Sequence, residues 1–190
     1  ERLDNGLRTG PEVERLTRVA NLAVVPRLKG AKHIADRIAQ KPLSAFSESV
    51  RSLYSGLQLS NVDEPPMVVV MTSSVPQEGK TSLAVSLGRL ASKSGARVIL
   101  IDCDLRRPAV GAQFSPRKPD AGLVEGLAGK RDLASVLHRD PISPLEFVPV
   151  AAPPANPADL LGSMAMRKLI EVLRQHYDFI VIDAAPVLPV

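Results

Sequence analysis

Residues 67–82 read Met67-Val-Val-Val-Met-Thr-Ser-Ser-Val-Pro-Gln-Glu-Gly-Lys-Thr-Ser82. A short apolar run breaks into small residues and closes on Gly79-Lys80-Thr81. This is the form a phosphate-binding loop takes between a buried strand and a helix. Backbone N–H groups of such a loop and of the helix N-terminus point at phosphate oxygens. The candidate contact residues are Ser74, Val75, Pro76, Gln77, Glu78, Gly79, Lys80, Thr81 and Ser82. In this arrangement the Lys reaches the β- and γ-phosphates and the Thr hydroxyl ligates Mg²⁺. The stretch departs from G-x-x-x-x-G-K-[ST] at one place: the usual first Gly is Ser74.

Two later segments complete the pattern. Residues 97–108 read Arg-Val-Ile-Leu-Ile-Asp-Cys-Asp-Leu-Arg-Arg-Pro, a second apolar strand ending in Asp102 and Asp104. Residues 177–186 read Tyr-Asp-Phe-Ile-Val-Ile-Asp-Ala-Ala-Pro, a third ending in Asp183. Open parallel sheets bind ligands at the carboxyl ends of their strands. Lys80, Thr81, Asp102, Asp104 and Asp183 are therefore expected on one edge, the donor set that Mg·ATP chemistry requires. A strand followed by an Asp N-cap accounts for any one segment alone, but not for the three in this order.

The rest of the chain alternates strands with helices, which implies right-handed crossovers and a mainly parallel sheet. Before the first strand, Glu12–Ala20 reads as a short helix, Leu22–Pro26 as a short strand or extended piece, and Ser44–Leu59 as a helix capped by Ser44 or Ser47. After it, helices are expected over Leu83–Ser94, Gly122–Leu127, Asp132–Leu137 and Pro157–His176. Strands are expected over Arg97–Asp102, Leu145–Val150 and Phe179–Asp183, and Pro108–Pro119 reads as a loop. The expected fold is thus α/β: a P-loop NTPase with a mainly parallel sheet, helices on both faces and a mostly helical N-terminal segment. Its divisions are a basic segment at 1–43, a helix and linker at 44–66, and an ATPase core at 67–190.

Composition narrows the function. Of 190 residues 45% are hydrophobic, enough for a sizeable core, but aromatics are only 3% and Trp is absent, so Val, Leu, Ile and Ala must build it. The single Cys103 excludes an intrachain disulfide and any C-x-x-C cluster site, and it reads as a small buried hydrophobe. Three His residues, His33, His138 and His176, show no metal-ligand spacing. No apolar run reaches the roughly 18 residues that span a bilayer. Residues 1–41 carry nine Lys/Arg against five Asp/Glu, and residues 42–190 carry fifteen of each, so the whole excess is N-terminal. That suits a segment beside the cytoplasmic face of a membrane. An ordinary solvated helix accounts for it equally. The scattered basic residues lack interleaved aromatics, which argues against nucleic acid. Glu1 stands where an initiator Met would, so the chain reads as part of something longer.

Taken together, the three motifs resemble those of the bacterial tyrosine kinases (BY-kinases), the kinase part of Wzc/ExoP-like exopolysaccharide chain-length regulators. Gly122-Leu-Val-Glu-Gly-Leu-Ala-Gly129, Asn156-Pro-Ala-Asp-Leu-Leu161 and Leu22-Ala-Val-Val-Pro26 are similar to further family stretches. The resemblance implies an ATP- and Mg²⁺-dependent protein-tyrosine autokinase at the cytoplasmic face of the bacterial inner membrane. It implies Lys80, Asp102 and Asp104 as catalytic residues, and Thr81, Asp104 and Asp183 at the metal. It leaves open which of Asp102 and Asp104 is the base. Its implied partners are ATP and ADP, further copies in a ring, a neighbouring subunit's tyrosine tail, a tyrosine phosphatase, and a membrane reached through segments outside this chain.

The family's Glu-x-x-Arg-x-x-Arg helix, a subunit contact, is matched by Glu48 and Arg51, but its last position is Tyr54. Arg106 and Arg107 are candidates for phosphate or a neighbouring subunit. Two departures keep other readings open. Gln77 stands where the family often has Gly, and Tyr54 and Tyr177 are the only tyrosines. The alternatives are a nucleotide-gated assembly module without tyrosine transfer, and a MinD/ParA-like ATPase. The latter usually carries an extra Lys early in the phosphate loop, where this chain has Ser73-Ser74-Val75.

Overall fold

A computed structural model of the chain describes residues 9–28, 33–115 and 117–188. The strands are β1 (Val68–Met71), β2 (Val98–Cys103), β3 (His138–Arg139), β4 (Glu146–Val148) and β5 (Phe179–Ala184). The helices are α1 (Gly10–Thr17), α2 (Arg37–Gln40), α3 (Ala45–Leu59), α4 (Lys80–Lys93), α5 (Val110–Phe114), α6 (Leu123–Leu127), α7 (Leu133–Val136), α8 (Pro157–Leu161) and α9 (Met164–His176).

The strands form one sheet in the order β1-β5-β2-β4-β3, parallel except for the β3–β4 edge pair. Every residue of β2 is buried, as expected of a parallel strand covered on both faces. Alternate side chains serve opposite layers. Val98 and Leu100 join Ala84, Val85, Leu87 and Ala91 of α4, with Leu53 and Leu57 of α3 behind them. Ile99, Ile101 and Cys103 join Leu123, Met166 and Leu173 on the other face. Register puts Met71, Asp183 and Asp102 side by side on β1, β5 and β2. The strand ends are thereby set level before any side chain is considered.

Several boundaries differ from the sequence reading, each for a local reason. Helix α4 begins at Lys80 rather than Leu83, because Gly79 adopts φ 91° and lets the chain turn straight from loop into helix. The expected loop after Pro108 contains α5, whose first N–H groups are held by Asp102. The long C-terminal helix is two helices: Ser163 accepts the Met166 N–H and starts α9 afresh. The Leu22–Pro26 stretch pairs with no strand. Ser44 is the N-cap of α3, accepting from Ser47 N–H at 3.3 Å. Arg2, Arg8, Lys29 and Lys32, four cations of the basic segment, lie outside the described residues.

The pre-sheet helices are tied to the core by one buried cation that the periodicity did not single out. Arg89 on α4 is 1% exposed. It donates to both carboxylate oxygens of Asp140, at 2.9 and 3.0 Å, and to Asp36 at 2.6 Å, and its guanidinium lies 5.2 Å from the Phe114 ring centroid. A planar fork suits this bidentate seat where Lys does not. Ser143 Oγ also donates to Asp140, so its carboxylate is fully bonded in the folded state. Removing the cation strands a buried charge. Arg89→Met should therefore lower the free energy of unfolding by about 3–5 kcal/mol. Asp36→Ala, whose carboxylate is partly exposed, should cost less. Urea titration followed by circular dichroism measures both.

Candidate functional site

The phosphate loop leaves β1 at Met71 and enters α4 at Lys80. Gln77 sits at φ 66° and Gly79 at φ 91°, so the loop curls through two left-handed residues. Only the second is glycine, and nothing lies within 4 Å of where its Cβ would be. The first-turn N–H groups of α4 are the orphan donors that every helix start carries, and the helix dipole adds positive potential there.

Helix α4 then carries Lys80 and Thr81 over the end of β5. Lys80 Nζ lies 2.9 Å from Asp104 Oδ2 and 3.3 Å from Asp183 Oδ1. Thr81 Oγ1 donates to Asp183 Oδ2 at 2.6 Å. Asp183 is fully buried and Asp104 nearly so. Burial pushes the Asp183 carboxyl up, opposed by the Thr81 hydroxyl and the Lys80 charge. Burial alone would lower Lys80, but the hydrogen bond to Asp104 and the charges of Asp183 and Asp104 outweigh it, and its ammonium is held above the ordinary value.

The paired aspartates separate in role. Asp104 lines a cleft of about 510 Å³ together with Gln77, Lys80, Thr81, Arg106 and Arg107. Asp102 does not line it. Its carboxylate accepts the N–H groups of Asp104 (3.2 Å), Ala109 (3.1 Å) and Val110 (3.0 Å), and it is wholly buried. Burial lifts its pKa to about 7, against the pull of those N–H donors. Asp104 Oδ1 in turn accepts the Arg107 N–H at 3.0 Å. Asp102 thus shapes the turn that presents Asp104, while Arg106 and Arg107 stand exposed on the cleft wall.

Other expected residues lie apart from the cleft. Glu48 and Arg51 form an exposed pair at 3.6 Å on α3. Tyr54, in the third position of that motif, turns inward and packs edge-on against Phe179, centroids 5.6 Å apart. Cys103 is buried, and burial with the Asp102 and Asp183 charges pushes its thiol up to about 12, so it is an inert hydrophobe. The sequence reading did not anticipate Ala185, Pro186 and Leu188, which close the far wall of the cleft. The small residues Ala184-Ala185-Pro186 after a strand end were their only signal.

The donor set fits a Mg·nucleotide. Mg²⁺ keeps several waters and takes one or two protein oxygens plus phosphate oxygens. The Thr81 hydroxyl and the Asp183 carboxylate offer such oxygens beside a Lys ammonium and a helix start.

The AAA domain family profile matches residues 68–190. The chain belongs to the AAA domain family. Its relatives are bacterial tyrosine kinases. It is 34% identical to the putative tyrosine-protein kinase EpsB of Ralstonia solanacearum over 86% of this chain and 21% of that protein. It is 35% identical to the tyrosine-protein kinase CpsD of Streptococcus pneumoniae over 79% of this chain and 66% of that one. The kinase domain of Escherichia coli tyrosine kinase ETK superposes with TM-score 0.86 at 27% identity, covering 97% of this chain and 76% of that one. This AAA chain therefore spans about a fifth of the length of EpsB. A Pyrococcus horikoshii MinD complexed with Mg-ADP shares the fold more distantly, with TM-score 0.55 and 21% identity. That ranking sets the MinD/ParA-like alternative behind the kinase family.

Lys80 faces two buried carboxylates, and its removal gives a pH-dependent deficit. Without it, the buried Asp183 loses the charge that opposes its burial and prefers the protonated form in the folded state. A raised folded-state pKa favours folding at low pH, and that contribution is lost as pH rises through it. Lys80→Met should therefore be closest to the unmutated chain in stability near about pH 4–5 and progressively weaker toward about pH 8. Urea midpoints across that range test this, and a pH-independent difference contradicts it.

Proposed function

We propose that this chain is the ATP- and Mg²⁺-dependent tyrosine kinase domain of an inner-membrane regulator of exopolysaccharide polymerisation and export. The observation that carries the reading is the seat of Lys80 between Asp104 and Asp183, with the Thr81 hydroxyl on the same carboxylate. Phosphoryl transfer needs positioning and charge neutralisation more than covalent chemistry. The loop from Ser74 to Ser82 orients the phosphates through the backbone N–H groups of its last turn, at Gly79, Lys80 and Thr81, and Lys80 neutralises charge on them. Thr81 and Asp183 hold the metal, directly or through water. Bound Mg²⁺ supplies charge neutralisation at the phosphate oxygens.

Asp104 is the general base in this reading. It reaches the cleft, whereas Asp102 spends its oxygens on three backbone donors. Leaving Lys80 for the phosphates frees Asp104 Oδ2 to accept the proton of an acceptor hydroxyl. Neither tyrosine of the chain is a ready acceptor. Tyr54 is packed on Phe179, and the Tyr177 hydroxyl donates to Glu146 at 2.6 Å, beyond the opposite end of β5 from Asp183. The acceptor is therefore a tyrosine supplied from elsewhere, with a neighbouring subunit's tail as the family candidate. Self-association would use the Glu48–Arg51 face together with Arg106 and Arg107, at the cytoplasmic face of the membrane. A cognate phosphatase would reverse the reaction.

Transfer of radiolabelled γ-phosphate to an added acidic tyrosine copolymer tests the reading. Label should appear on tyrosine in a Mg²⁺-dependent way. Asp104→Asn should lower the rate by about 10²-fold or more, the usual scale for a lost acid–base group, with ADP still bound. Lys80→Met should lose ADP binding itself. ADP binding without label on any tyrosine would instead favour a nucleotide-gated assembly module.

A further inference from the structure

The loop lacks the first glycine of its pattern, and one side chain occupies the geometry that results. Glu78 Oε2 accepts two backbone N–H groups, from Ser74 at 2.8 Å and from Val75 at 3.3 Å. The contact runs back across the mouth of the loop, four and three residues upstream. The carbonyl side of the same residues is held from outside. Val187 N–H donates to Ser73 O at 2.9 Å, and Leu188 N–H to Ser74 O at 3.1 Å. Ser73 Oγ closes the set by donating to Val75 O at 2.9 Å. The Ser74 peptide is thus clamped on both faces, by the segment after β5 outside and by Glu78 inside.

We propose that Glu78 is a positioning residue for the nucleotide phosphates: its carboxylate braces the loop in place of the missing glycine. This rests on the phosphate-loop reading above and deepens it. A glycine at position 74 lets the backbone of such a loop turn without a side chain. Here Ser74 occupies that place, and Gln77 holds a left-handed conformation at φ 66° that a non-glycine residue adopts only at some cost. Something must hold the curl against that strain. Two charge-assisted hydrogen bonds to consecutive N–H groups do so. They take donors at the start of the loop, leaving the N–H groups at Gly79, Lys80 and Thr81, where α4 begins, directed at a ligand. Glu78 itself is exposed, so its contribution is to loop order rather than to the core.

The opposite role has a distinct signature. If the Glu78 charge chiefly repelled phosphate, removing that charge would tighten nucleotide binding. The brace predicts the reverse, with an internal control. A single oxygen accepts both bonds, so the amide oxygen of Gln can replace it, whereas Ala cannot and Asp is too short.

The test is titration of fluorescent ADP with Mg²⁺ into the full 190-residue chain, with urea midpoints measured alongside. Glu78→Ala and Glu78→Asp should raise the ADP Kd by about 5- to 20-fold, the scale of one or two lost hydrogen bonds. Glu78→Gln should stay within about threefold of the unmutated chain, and unfolding midpoints should barely move. Adding Gln77→Gly to Glu78→Ala should recover part of the loss, since glycine adopts the left-handed φ of that position without strain. Equal or tighter ADP binding by Glu78→Ala overturns the brace while leaving the phosphate loop standing. So does Glu78→Gln weakened as much as Glu78→Ala. Absence of ADP binding by the unmutated chain overturns the phosphate-loop reading and the brace together.

Discussion

One ammonium group holds the working edge of this molecule together. Asp183 and Asp102 stand side by side on β5 and β2, and Asp104 follows two residues on, so three carboxylates crowd the ends of two adjacent strands. Buried like charges cannot all ionise without a counter-charge. Lys80 supplies it for Asp104 and Asp183 by direct contact, and three backbone N–H groups partly serve Asp102. This arrangement fixes where α4 begins, since Lys80 must be its first residue to reach both carboxylates. It fixes the turn after β2, since Asp102 draws the N–H groups of Ala109 and Val110 around itself and so starts α5. A bound nucleotide would compete for the same ammonium. The interaction that holds this edge together is therefore the one that ligand binding would redistribute.

Much of this was legible in the sequence because buried parallel strands leave continuous apolar runs. Val98–Cys103 and Phe179–Ala184 are of that kind, and each carries one residue before its end an aspartate that no core position would tolerate without a partner. The three motif segments were placed on one edge by topology alone, and the structure brings Lys80 against Asp104 and Asp183, and Thr81 against Asp183. Asp102 shows the limit. The Asp-x-Asp spacing announces a pair but not which member faces the cleft. That choice depends on the path of the backbone after β2, which no pattern of side chains encodes.

Other features were illegible for definite reasons. Arg89 sits on α4 beside Ser86 and Ser92, and nothing local marks it as buried until Asp36 and Asp140, 53 and 51 residues away, are seen to meet it. The β3–β4 edge pair is only two residues deep and has too little periodicity to register. The side chain of Glu78 acts through backbone N–H groups, which are identical at every position and so invisible in a sequence. Tyr54 was legible as a departure from the family's helix motif. What the structure adds is that the ring faces the core, so the exposed side of α3 keeps only the Glu48–Arg51 pair.

The strand order has a consequence for how the chain is made. β5 follows β1 and β2 by many residues in the chain, yet it lies between them, and those two do not pair with each other. A ribosome that has released β1 and β2 but not yet residues 179–184 has exposed both neighbours without the strand that joins them. In that interval β1 has no ladder partner among the strands described. The helices and the β2–β4–β3 half can gather beforehand, held by local contacts that form fastest. Closure of the sheet, and with it the meeting of Lys80 with Asp183, waits for residues 179–184. The phosphate site is thus assembled only after β1, α4 and β2 have all been made. Until then the open flanks of β1 and β2 are the surfaces on which a nascent chain of this kind is most exposed to mispairing.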